Sequence, residues 1–260
     1  MTSPMQWAVP EIHSFLALLF RVSGIIAALP LVGSRTVPVQ IKIALSVTTS
    51  MVLAPVVKPL KMPADPTLLA AGVAGELVVG LAIGLASRLV FAALEIAGEL
   101  MGVQMGFGVV QLLDPLAAHH APLLGNLQTI MASLTFLSFD AHIEFLRAIA
   151  QSFESIPPFG AGLSPGLVED FLRLSHNMFL VALKVAAPVL ATVVLVNIAL
   201  AVLGRAVAQM NVLALSFPAT IAAGLLMMGL ALPHAQVLYQ REVIGLGETI
   251  RGLLKVLGHG

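Results

Sequence analysis

The chain has 260 residues, 58% of them hydrophobic and only 10% charged, with 13 basic and 13 acidic side chains and no cysteine. Soluble globular chains carry about 45–50% apolar and about 25% charged residues, so this one lacks the polar groups to cover a water-facing surface. That excludes an ordinary cytosolic enzyme, a disordered chain and a nucleic-acid binder, and the missing cysteine excludes disulfides, thiolate nucleophiles and Cys-ligated metals. An integral membrane protein remains.

An apolar helix needs about 20 residues to cross a ~30 Å hydrocarbon core. Reading charges and Pro/Gly clusters as boundaries predicts six long helical segments, near 12–33, 38–57, 67–95, 123–153, 172–204 and 212–239. The first follows eleven residues without Lys or Arg, contains Arg21, and does not match a cleaved signal peptide; it is expected to be retained. Residues 58–66 form a Pro-rich linker, and 154–170, with Pro157, Pro158, Gly160, Gly162, Pro165 and Gly166, is the strongest break. The longest uncharged runs are 35 residues over Ala206–Gln240, 25 over Pro115–Phe139 and 20 over Val185–Gly204. With six crossings, the basic residues favour both termini on the cytoplasmic side by a small margin. One Trp and one Tyr make thin aromatic belts, which points to helices facing other subunits.

The tail differs in character. Val243, Leu246, Ile250, Leu253 and Leu257 recur at helical spacing while Arg241, Glu242, Glu248, Arg251 and Lys255 take other faces. This is an amphipathic helix, lying on the membrane surface or packing on a partner.

Ionisable groups in apolar segments are costly and mark candidate sites. Glu76, Arg88, Glu95 and Glu99 punctuate the third segment and suit an interhelical ion-pair seam or an aqueous lining. Asp140 and Glu144 share a helical face from which His142 diverges, a poor metal site, so a polar helix contact is the expectation. The adjacent His119 and His120 suit a loop or cap. There is no nucleophile elbow, Walker loop or dinucleotide-binding glycine pattern, and the chain reads as no enzyme, with no cofactor. In 98–125, Gly98, Gly102 and Gly106 make a smooth stripe for close helix packing, which Gly108, Asp114-Pro115 and Pro122 then loosen. Such a stretch is a surface loop or is folded into an assembly's interior, where Met101 and Met105 could form a deformable seal or simply fill core.

Four ordered pieces resemble the flagellar biosynthetic protein FliR family, which includes counterparts in virulence injectisomes. They are Arg21-Val-Ser-Gly24 with Pro30-Leu-Val-Gly33 and Val37-Pro38; Ala97-Gly-Glu-Leu-Met-Gly-Val-Gln-Met-Gly106 followed by Asp114-Pro115; Phe139-Asp-Ala-His142; and Ala187-Pro188 leading to Arg205, Gln209-Met210-Asn211-Val212 and Phe217-Pro218. The resemblance covers nearly the whole chain. Ala208, Ser216 and Ala141 depart from the family pattern, each putting a small residue where a helix-perturbing or small one is usual.

The resemblance implies an all-α membrane protein with a FliP-like unit over about 1–160 fused to a FliQ-like unit over about 161–260. It also implies a hetero-oligomeric ring with FliP-like and FliQ-like subunits. That ring would pass unfolded flagellar subunits across the bacterial inner membrane at the flagellum basal body, with FlhA-like and FlhB-like proteins. A pore plug would fall on Gly102, Gln104, Met105, Gly106, Asp114 and Pro115, and assembly motifs on Arg205, Gln209, Met210, Asn211, Phe217 and Pro218. Partners are thus export subunits, export substrates and membrane lipid, with no nucleic acid. The alternatives are the equivalent injectisome component and, in another class, a six-helix secondary transporter using Glu76, Arg88 and Asp140.

Overall fold

A computed structural model describes residues 4–29, 37–57, 65–107, 123–160, 166–207 and 211–258. Within these residues the structure is helical, without strands: α1 (Pro4–Ala28), α2 (Val39–Leu53, extended by a 3₁₀ turn at Ala54–Val56), α3 (Pro66–Met105), α4 (Leu123–Ser138), α5 (Ala141–Ser155), α6 (Gly166–Ala206) and α7 (Val212–Gly258). Three of them, α3, α6 and α7, are long and apolar enough to cross a membrane. At 1.5 Å per residue each is about 60–70 Å long, roughly twice the hydrocarbon thickness, so helix count and crossing count are different quantities.

Besides earlier starts for the first (Pro4, against about 12) and the fifth (Gly166, against about 172), the expected segments are redrawn at three places. The third continues past 95 to Met105, because its Glu95 and Glu99 are good helix formers, no proline intervenes, and Gly98 packs closely on α4. The fourth is not one helix: Asp140 adopts a left-handed conformation (φ 52°) between α4 and α5. Asp tolerates that region better than most residues, and it takes Asp140 off the regular helical face it was expected to share with Glu144. The sixth segment and the tail form one helix, since Arg241 and Glu242 are unfavourable in lipid but do not interrupt helical hydrogen bonding.

Asp65 and Pro66 start α3. Asp65 Oδ1 accepts from the Thr67 hydroxyl at 2.7 Å and from its N–H at 2.9 Å, and Pro at the first helical position has no donor to leave unsatisfied. These bonds, the hydroxyl's foremost, hold the Asp65 carboxyl below its usual range.

The chain divides into two compact units. The first comprises Met1–Leu89, Asp140–Ser175 and Ile244–Gly260. In its core α1 and α3 approach almost backbone to backbone: a Cβ on Gly80 would stand 2.1 Å from the Arg21 carbonyl oxygen, and one on Gly84 would stand 2.7 Å from that of Ile25. Leu18, Val22, Ile25, Ile83, Phe145 and Ile149 are buried in this unit, and so are Leu246, Ile250, Leu253 and Leu257 of the tail. The tail therefore covers its apolar face within its own chain, in place of the membrane surface or partner expected for it.

The second unit comprises Val90–Phe139 and His176–Val243. Phe91 of α3 meets Phe136 of α4 edge-on at 5.6 Å between centroids. The hydroxyl of the fully buried Tyr239 in α7 donates to the buried Gln128 Oε1 in α4. Gly98 brings α3 onto α4, where its Cβ would lie 2.4 Å from the Leu124 carbonyl oxygen.

Candidate functional site

The C-terminal end of α3 is a built joint. The Phe107 N–H reaches back to the Gly102 carbonyl (3.0 Å) and the Gly106 N–H to that of Val103 (3.1 Å). With Gly106 at φ +98°, this is a Schellman ending, which needs a residue free to turn left-handed and so selects glycine. The Met105 carbonyl lies within hydrogen-bond reach of the Thr220 hydroxyl of α7 at 3.0 Å, which shares its one proton with the Ser216 carbonyl at 2.9 Å. The fully buried Met105 side chain lies over Gly224, whose missing Cβ leaves it room, and Phe217 lies against Gly106. On α7, Asn211 caps the start by accepting from the Ala214 N–H at 3.1 Å.

The glycine stripe has three unlike members. Gly98 sits against α4 backbone; Gly102 would carry a Cβ in ordinary contact, 3.9 Å from Leu124 side-chain atoms; Gly106 is the helix-ending glycine. Met101 and Met105 are both buried in the second unit, while Gln104, Arg205 and Pro218 are exposed. Asp114, Pro115, Gln209, Met210, His119 and His120 lie outside the described residues.

The first unit holds a polar centre of a different kind. Arg21, fully buried on α1, donates Nε–H to Glu76 Oε2 at 2.7 Å and Nη2–H to Glu76 Oε1 at 3.1 Å, a two-pronged pair with a carboxylate that is also fully buried. Nη1 donates to the Ser152 carbonyl (2.8 Å) and hydroxyl (3.2 Å), and Nη2 to the Ile156 carbonyl (3.0 Å). All five guanidinium donors are thereby used. The Phe153 ring stacks on the cation, 4.1 Å from its centre.

Glu76 Oε1 also accepts the Phe159 N–H at 2.7 Å. Phe159 is the third residue of a turn closed by Gly160 N–H to the Pro157 carbonyl (2.9 Å), and it stands at φ 61°. Such a turn favours glycine there; a bulky side chain in left-handed backbone costs about 1–2 kcal/mol. The Phe159 ring packs where a Gly72 Cβ would otherwise be, 2.6 Å away.

Of the expected seam in α3, then, Glu76 is buried with Arg21, whereas Arg88, Glu95 and Glu99 are exposed and enter no salt bridge among the described residues. Asp140 is exposed at the α4–α5 junction, His142 is half-buried, and Glu144 pairs with Arg147 on the exposed side of α5 at 2.6 Å. Among the described residues no three His, Asp or Glu side chains converge on a possible metal position. Sequence reasoning missed the Arg21–Glu76 pairing, Thr220, Gly224 and Phe159. The first had a signal: each is a charge flanked by apolar residues within a helix, and such charges seek one another.

Three long apolar helices, buried polar centres and small-residue joints define a membrane-embedded helical protein whose specialised groups hold helices together. The family of bacterial export proteins, family 1, matches residues 12–245. The flagellar biosynthetic protein FliR of Bacillus subtilis (strain 168) is 32% identical over 94% of this chain and 96% of its own length. Those of Pectobacterium carotovorum and Escherichia coli (strain K12) are 29% and 26% identical, over 82% and 83% of this chain and 82% of their own lengths. The chain belongs to this FliR family of bacterial export proteins.

Proposed function

We propose that the chain is a core component of the flagellar type III export gate in the bacterial inner membrane, at the base of the flagellum. It assembles with FliP-like and FliQ-like subunits around the conduit for unfolded flagellar subunits, and works with FlhA-like and FlhB-like proteins. Its stretch to about residue 160 plays the FliP-like part and the remainder the FliQ-like part. The observation that carries the reading is exposure: along α6 and α7, Leu195, Leu226 and Leu230 are 67%, 68% and 70% exposed. Apolar surface on that scale is stable only against lipid or other subunits.

The segment from Gly102 through Gln104, Met105 and Gly106 to Asp114 and Pro115 acts as the gate's resting barrier. Its described root supports this, because the capped α3 end at Met105 and Gly106 gives the segment a fixed point of departure. Arg205, Gln209, Met210, Asn211, Phe217 and Pro218 serve assembly around the start of α7. Shortening 104–115 should raise ion leak across the membrane while partners still co-purify. Unchanged conductance would remove the barrier role.

A further inference from the structure

We infer that Arg21 and Glu76 are positioning residues: a permanently closed clamp that holds the strained Pro157–Gly160 turn on α1 and α3, including while export proceeds. The inference deepens the export reading above and rests on it. The clamp joins parts of the first unit that are distant in sequence, α1, α3, the end of α5 and the turn that follows it. Two facts make it a lock and not merely a favourable contact.

First, the polar groups are saturated. The guanidinium uses every donor, and the carboxylate accepts from Nε, Nη2 and the Phe159 N–H. No acceptor within the cluster would reward an opened state, and opening would strand buried groups of both charges. Second, the turn does not hold itself. Phe159 sits in backbone that disfavours it, so the closed form depends on what Glu76 and Gly72 provide. Gly72 admits the ring and Glu76 holds the amide. The buried ion pair, a weak source of stability against an apolar replacement, here sets register.

The test uses the absence of cysteine from the chain. Gly72→Cys with Phe159→Cys removes the ring and introduces one possible intrachain disulfide. A Gly72 Cβ would stand 3.0 Å from the Phe159 Cβ, so the bond needs a separation only slightly larger, since disulfide Cβ atoms lie about 3.5–4.5 Å apart. The doubly substituted full chain replaces the native copy in a flagellated host; mild oxidant is applied, and crosslinking is read by mass spectrometry and export by flagellar subunits in the medium. The parental chain under the same oxidant is the control.

The clamp predicts that the disulfide forms and that export continues at the control rate. Export lost on oxidation and regained on reduction would show that the turn must open, and would overturn permanent closure. A disulfide that does not form would overturn the docking itself. In the background of Arg21→Met with Glu76→Leu, the crosslinked fraction should fall; an unchanged fraction would show that the ion pair does not hold the turn. Glu76→Gln serves if that chain does not accumulate, because its amide oxygen can still accept from Phe159 while its amide nitrogen opposes Arg21. Arg21→Lys keeps the charge but not the fork, and should not restore the parental yield. Failure of the reduced chain to support any export, with the disulfide forming normally, would count against the export reading and leave the crosslink to decide the clamp.

Discussion

Gly98 and Gly102, one helical turn apart on α3, should respond to alanine with opposite sign. At Gly98 the new methyl would lie 2.4 Å from the Leu124 carbonyl oxygen and 2.6 Å from Gly125 Cα and N. These are backbone atoms, so α4 must withdraw by about 1 Å to reach ordinary contact, and overpacking of this kind costs about 1–3 kcal/mol, sometimes more. Alanine's helix propensity returns up to about 1 kcal/mol, leaving a net loss of up to about 2 kcal/mol. At Gly102 the methyl meets only Leu124 side-chain atoms at 3.9 Å, so the propensity gain of about 0.5–1 kcal/mol stands unopposed. The variants should therefore differ by about 0.5–3 kcal/mol, or roughly 1–12 °C in unfolding midpoint at about 2–4 °C per kcal/mol. The assay heats membranes containing each variant and measures the fraction of chain that stays protease-resistant. Midpoints that move together, or a higher midpoint for Gly98→Ala, would refute the packing argument.

Three further outcomes follow from the same geometry. Glu76→Ala leaves a buried guanidinium uncompensated and should destabilise the chain by about 3–5 kcal/mol, whereas Arg21→Met with Glu76→Leu should lose far less than the two single changes summed; a double-mutant cycle of melting midpoints measures this. Thr220→Val removes the donor to the Met105 carbonyl and should lower stability by about 1–3 kcal/mol, with Thr220→Ser near the parent in the same heating assay. Asp65 has a carboxyl held below its usual range in the folded chain, so its capping contribution is present above the unfolded-state value and is lost as pH falls through the lower folded one. Protection factors at the first turn of α3, with exchange normalised to the intrinsic base-catalysed rate at each pH, should fall on acidification in the parent and stay unchanged in Asp65→Asn.

Apolar length and breaker residues made the helical character legible, because a membrane chain must satisfy its backbone internally. The misplaced boundaries share one cause. Charges at Glu95 and Arg241 mark two of the expected segment ends, yet a charge ends residence in lipid without ending a helix. Asp140 erred the other way: nothing in the apolar run around it announced a left-handed residue. The regular spacing of Gly98, Gly102 and Gly106 was visible in sequence, but spacing cannot tell a packed glycine from a helix-ending one; that depends on what lies opposite, α4 backbone in one case and Phe217 in the other. Arg21 and Glu76 are 55 residues apart, and only the folded chain shows that Ser152, Ile156 and Phe159 complete their site.

On the proposed function, other subunits complete these helices. Affinity purification of the tagged full chain from native membranes, with the intact assembly weighed by native mass spectrometry, tests it directly. The expected result is one discrete hetero-oligomer containing FliP-like and FliQ-like subunits, with α6 and α7 protected from proteolysis. A monodisperse single chain, equally protected and free of other proteins, would contradict it.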